Sequence, residues 1–126
     1  MLANNPYQQY KKNSVQSATP GDLTLSLYNG AVKFIKLGII AIDEGNIQGA
    51  NNAIVRAQEI IIYLMETLNH EYEISKNLSS LYDYINSRLL EANIKKDKQI
   101  LEESLEMVKE LRDTWGQAVK LTAGKK

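Results

Sequence analysis

After Pro20 the chain contains no further proline, and from there to its end the apolar residues recur every third or fourth position. Proline is the residue that most reliably ends a helix, so its absence leaves long helices free to form. No segment alternates apolar and polar residues as a half-buried strand would. Fold and function therefore have to be read from helical faces.

The helix boundaries are written in local chemistry. Thr19, Pro20, Gly21 and Asp22 place a hydroxyl at the N-cap, proline at the first helical position and an acid three residues after the cap. This predicts a first helix from Pro20 to Asp43, stopped by Gly45. A second is expected from Asn46 to Asn69 and a third from Glu73 to Ile94, ending in the positive pair Lys95 and Lys96. A fourth, capped by Asp97, is expected to run to Thr122 with Gly124 closing it. Four helices of matched length with short connections make an all-α, antiparallel four-helix bundle. The bundle takes residues 19–126, and residues 1–18 form an N-terminal arm, latch or short helix.

Core stripes follow from the spacing. They comprise Leu23, Leu27, Ala31, Phe34 and Gly38 in the first helix and Ile54, Ala57, Ile61, Leu64 and Leu68 in the second. The third offers Leu78, Leu81, Ile85, Leu89 and Ala92. The fourth offers Leu101, Leu105, Val108, Leu111, Trp115 and Val119. Steps of three and four build seams between nearly parallel helices.

The apolar surface exceeds those stripes. A surface helix needs an apolar arc of about 100° or a little more, whereas the first helix is apolar over roughly 240° on a helical wheel. Leu25, Val32 and Ile39 form one added row; Tyr28, Ile35 and Ile42 form another. Either the first helix is central, covered by two neighbours and the arm, or these rows await another chain. Val55 and Ile62 lie roughly 130° from the second helix's stripe, and Leu90 and Ile94 point further still from the third's. Such pairs are either incidental exposed residues or the walls of a groove that takes an amphipathic segment of another polypeptide. In the arm, Tyr7 and Tyr10 lie three apart. They are either chance aromatics of a leader or a latch over this greasy surface.

Several function classes lack their chemistry. The 15 basic and 15 acidic residues balance, which argues against nucleic-acid binding. No cysteine is present, so disulfides and zinc thiolates are out of reach. The single histidine, His70, lacks the Glu-x-x-His partners of a di-metal bundle and reads as a turn residue. There is no glycine-rich phosphate loop. No enzyme, metal or cofactor is expected. The start of the chain has no apolar signal region, and the longest unbroken apolar runs, such as LGIIAI, are short for a membrane span. A cytoplasmic protein without membrane insertion is expected.

Three segments carry a family resemblance: NPYQQYKKNSVQSATPGDLTLSLYNGAVKFI, NLSSLYDYINSRLLEANIKKD and ELRDTW. In order, and over nearly the whole chain, they resemble the flagellar secretion chaperone family FliS. The resemblance implies a cytoplasmic bundle that binds the disordered C-terminal region of flagellin in hydrophobic grooves. Such a bundle holds flagellin unpolymerised and delivers it to the flagellar export gate. It also implies a binding role for the tyrosine region, here Tyr7 and Tyr10. With the helical rows, the expected flagellin contacts are Tyr7, Tyr10, Leu25, Val32, Ile39, Val55, Ile62, Leu90 and Ile94. A flagellin-regulating protein is a further expected partner, and the chain is expected to be a monomer or weak dimer. The alternative is a homodimeric helical-bundle adaptor or regulator with no flagellin client. The chain departs from the family's common glycines between the second and third helices, where it reads NHEYEIS.

Overall fold

The computed structural model describes residues 19–71 and 73–124, with side chains as far as Leu121. The arm at residues 1–18, with Tyr7 and Tyr10, lies outside the described residues. Four helices follow in order: α1 Pro20–Asp43, α2 Ile47–Glu66, α3 Ile74–Lys95 and α4 Lys98–Gly124. Each packs on its neighbour in sequence, and α1 also packs on α4, which closes the ring. The structure is an antiparallel four-helix bundle, with no strand among the described residues.

The expected caps form. Thr19 Oγ1 accepts from the Asp22 amide at 3.2 Å, while the Thr19 amide donates to the Asp22 carboxylate at 3.3 Å. These reciprocal bonds satisfy two amides that the first turn leaves without helical partners. At the other end Gly45 adopts φ +73, a left-handed conformation that glycine takes without steric cost. Asn46, expected as the first residue of α2, is its N-cap instead and accepts a 2.9 Å bond from the Gly49 amide. The Asp97 carboxylate takes the Gln99 amide at 2.9 Å at the start of α4.

Two ends differ from expectation by more than one residue. Helix α2 stops at Glu66, three residues short of Asn69, and the Thr67 hydroxyl donates to the Tyr63 carbonyl at 2.9 Å. That side-chain bond gives the last turn a partner other than the next amide. Helix α4 continues through Gly124 instead of ending at Thr122.

The core contains the expected stripes and more. Ala31, Ile54, Ala57, Ile61, Ile85, Leu89, Leu101 and Val108 are buried, each isoleucine, leucine and valine contributing about 1.5–3 kcal/mol. Leu23, Leu78, Leu81, Leu111 and Trp115 are half-buried at its margin. Gly38 lets α1 lie close to two neighbours at once. A Cβ there would stand 3.2 Å from Ile54 of α2 and 3.4 Å from Leu101 of α4. Tyr28, Val32 and Ile35 are all buried, so the wide apolar arc of α1 serves largely the bundle's own core, flanked by α2 and α4.

The same burial accounts for a further property of α1. By length and composition it could cross a membrane, although its longest unbroken apolar run is short. A helix sealed on two flanks by neighbours carries apolar residues that pack against those neighbours, not against lipid.

Candidate functional site

Two amide bridges fix the register of α2 against α3. Gln58 Nε2 donates to Asn86 Oδ1 at 3.1 Å, and Asn93 Nδ2 donates to Asn51 Oδ1 at 2.9 Å. Seven residues forward on α2 correspond to seven residues back on α3, as antiparallel packing requires. Val55 falls between the two bridges on α2, and Leu90 falls between them on α3. On a helical wheel each lies about 40–60° further outward than the amides beside it. Ile62 extends the row by two turns on α2. Ile94, one turn beyond Leu90, lies at the outer edge of the face.

All four are exposed: Val55 by 37%, Ile62 by 36%, Leu90 by 50% and Ile94 by 74%. Isolated exposed aliphatics are ordinary. Here Val55, Ile62 and Leu90 border one interhelical seam whose floor is a ladder of amides. Each bridge uses one of the donor's two amide N–H groups, while Asn93 Oδ1 also accepts from Lys96 Nζ at 2.8 Å. The seam can therefore take apolar side chains while offering hydrogen bonds to whatever backbone lies on it.

The first-helix row lies elsewhere. Leu25 is half-buried beside α4, 3.7 Å from where a Cβ on Gly116 would stand. Ile39 is half-buried against the core. Val32, between them, corrects the expectation of an accessible contact: it is only 4% exposed. Seven-residue spacing aligns these three on the wheel, but Val32 belongs to the buried core cluster and only the two ends of the row remain half-buried. The nine expected residues thus divide into the α2–α3 face, the α1–α4 flank and the undescribed arm.

A cavity of about 420 Å³ opens at the end of the bundle where α1 begins. All four helices reach it, through Gly21 and Thr24 of α1, Leu68 after α2, Leu78 of α3 and Trp115 of α4. Tyr28 and Tyr82 form its inner wall and share a hydrogen bond between their hydroxyls. Burial pushes both phenols above their ordinary range, and the Tyr28 hydroxyl raises that of Tyr82 further. Trp115 Nε1 donates to the Gly21 carbonyl at 2.9 Å, tying the end of α4 to the first turn of α1. Spacing placed Trp115 in a core stripe and left Tyr28 undecided; no one-dimensional pattern marks a cavity shared by four helices.

Among the described residues no three of His, Asp and Glu gather as metal ligands. His70 is exposed in the turn between α2 and α3. Five of the described carboxylates form surface ion pairs, among them Glu91 and Glu103, which Arg88 reaches at 2.6 Å and 3.3 Å.

Fold and surface together define a class: a helical bundle that presents aliphatic rows along the seam between two of its helices. The chain matches the family described as flagellar protein FliS over residues 3–122. It is 45% identical to the flagellar secretion chaperone FliS of Bacillus subtilis (strain 168), over 94% of this chain and 90% of the relative. It is 35% identical to that of Vibrio cholerae, over 87% and 85% of the two chains. To that of Salmonella typhimurium it is 33% identical, over 84% and 81%. The chain belongs to the FliS family of flagellar secretion chaperones. These relatives are named for a chaperone role, not for a reaction.

Proposed function

We propose that this protein binds the C-terminal region of flagellin in the cytoplasm, prevents its premature polymerisation and brings it to the flagellar export apparatus. The observation that carries the reading is the exposure of Val55, Ile62 and Leu90 along one seam in a chain of this family. Ile94 extends that surface. Leu25 and Ile39 supply a second patch on the α1–α4 flank, with Val32 beneath it as support.

The energetics are adequate without a nucleotide. A segment that orders on binding commonly buries about 1,000–3,000 Å² and loses about 2–5 kcal/mol in ordering. At about 25 cal/mol per Å² of apolar area, several aliphatic rows supply more than that loss before the cost of association. Binding equilibrium alone holds the client, and competition at the export gate releases it. Tyr7 and Tyr10 act as a latch over the apolar surface until the client displaces it. A regulator of flagellin is a further partner of the same assembly, and the free chaperone is a monomer or weak dimer.

The experiment is a pull-down with flagellin from the same cell, full length and lacking its C-terminal segment, alongside light scattering of the chaperone. Capture of only the full-length protein supports the reading. Capture of neither form, with a stable dimer in scattering, supports a homodimeric adaptor instead.

A further inference from the structure

A second apolar groove lies between α1 and α2, on a different side of α2 from Val55 and Ile62. Its volume is about 330 Å³, and Phe34, Leu37, Ile40, Gly49, Ala53 and Arg56 line it. Leu37 is 43% exposed and Ile40 50%. Arg56 follows Val55 by one residue, which rotates it by about 100° around the helix. A polypeptide lying in one groove therefore leaves the other open.

The charges around this groove are arranged unevenly. The Arg56 guanidinium lies 5.9 Å from the centre of the Phe34 ring and the Lys33 ammonium lies 5.6 Å from it. Among the described residues neither cation has a carboxylate within ion-pair distance. Two cations sharing one ring repel each other, and the ring's quadrupole offsets only part of that repulsion. Glu44 lines the opposite end of the groove, ten residues beyond Phe34, or roughly 15 Å along the helix. The groove is thus positive at one end, negative at the other and apolar between.

We infer that the α1–α2 groove receives an amphipathic helix of a second polypeptide, its acidic end against Lys33 and Arg56 and its apolar stripe on Phe34, Leu37 and Ile40. About three turns fill the length, with apolar residues at i, i+3 or i+4, and i+7. The arm of this chain is not the occupant, because residues 1–18 carry Lys11 and Lys12 and no acid. Nor is a folded second copy. Its most acidic helix, α4, exposes Glu102, Glu103, Glu106 and Glu110 but keeps Leu101, Leu105 and Val108 in its own core. The assignment is independent of the flagellin reading.

The test selects binders from a displayed library of random 16-residue peptides on the full chain, with counter-selection on Arg56→Glu and on Leu37→Asp. Circular dichroism checks that both variants, altered at exposed positions, remain folded. The expected peptides carry a helical apolar stripe with Asp or Glu at one end. They bind Arg56→Glu at least about tenfold more weakly, bind Val55→Asp unchanged, and regain affinity for Arg56→Glu when their acids are replaced by Lys. Charge-reversal rescue is an outcome that damage to the fold does not produce. The assignment is overturned by any of three results: no peptide distinguishes the variants, the enriched peptides lack acids, or Val55→Asp abolishes binding as fully as Leu37→Asp.

Discussion

The hydroxyls of Tyr28 and Tyr82 meet by hydrogen bond across the bundle, joining α1 to the helix that stands diagonally opposite. The rings lie 6.5 Å apart at 42°, and both side chains are 2% exposed. Water is thus largely kept from the pair, and each hydroxyl is the other's partner. Tyr82→Phe leaves the Tyr28 hydroxyl buried without that partner and is expected to lower stability by about 1–3 kcal/mol, whereas Tyr28→Phe with Tyr82→Phe is expected to be nearly neutral. Denaturant unfolding of the four proteins in the cycle checks this.

The same pair gives a pH dependence. Both folded-state phenols are raised above 10.0, so above that pH the unfolded chain releases protons that the folded chain retains. The stabilisation is complete below pH 10 and declines as pH rises beyond it, by at most about 1.4 kcal/mol per pH unit for each hydroxyl. The decline should be shallower in the double phenylalanine variant, read from denaturation midpoints between neutral and alkaline pH.

Truncating fully buried side chains should act on stability alone. Ile61→Ala and Leu89→Ala are each expected to cost about 2–5 kcal/mol through lost transfer energy and a residual cavity. Thr19→Ala, which removes the α1 cap, is expected to cost about 1 kcal/mol. Thermal or denaturant unfolding monitored by circular dichroism measures both.

The elements most legible in the sequence were those set by local chemistry. The Thr19–Asp22 box, Gly45, Asn46 and Asp97 each act within four residues of themselves, so the starts of α1, α2 and α4 were readable. Helix α3 has no side-chain cap at Glu73, and its start is the one that local signals define least. Burial by particular neighbours was less legible. Val32 and Leu25 share a wheel row, yet only Val32 is covered, because coverage depends on where α4 lies. The α2–α3 face was visible as offset pairs, but the amide bridges that put Val55 opposite Leu90 appear only in three dimensions. The groove beside Phe34 needs two helices and two cations from different segments, and no single stripe announces it.

The arm separates recognition from folding. Tyr10→Ala is expected to change affinity for a flagellin C-terminal peptide while leaving helical content unaltered, since the caps and core of the bundle begin at Thr19. Unchanged affinity by calorimetry would remove the latch from the account.

The most direct measurement is calorimetric titration of a flagellin C-terminal peptide into wild type, Ile62→Asp and Leu90→Asp, with melting temperatures recorded in parallel. Saturable binding to wild type that weakens at least about tenfold in either variant, with melting nearly unchanged, is the predicted result. Equal affinity in all three proteins would contradict the account. So would an Ile62→Asp bundle that no longer folds, since Ile62 would then belong to the core and not to the client's groove.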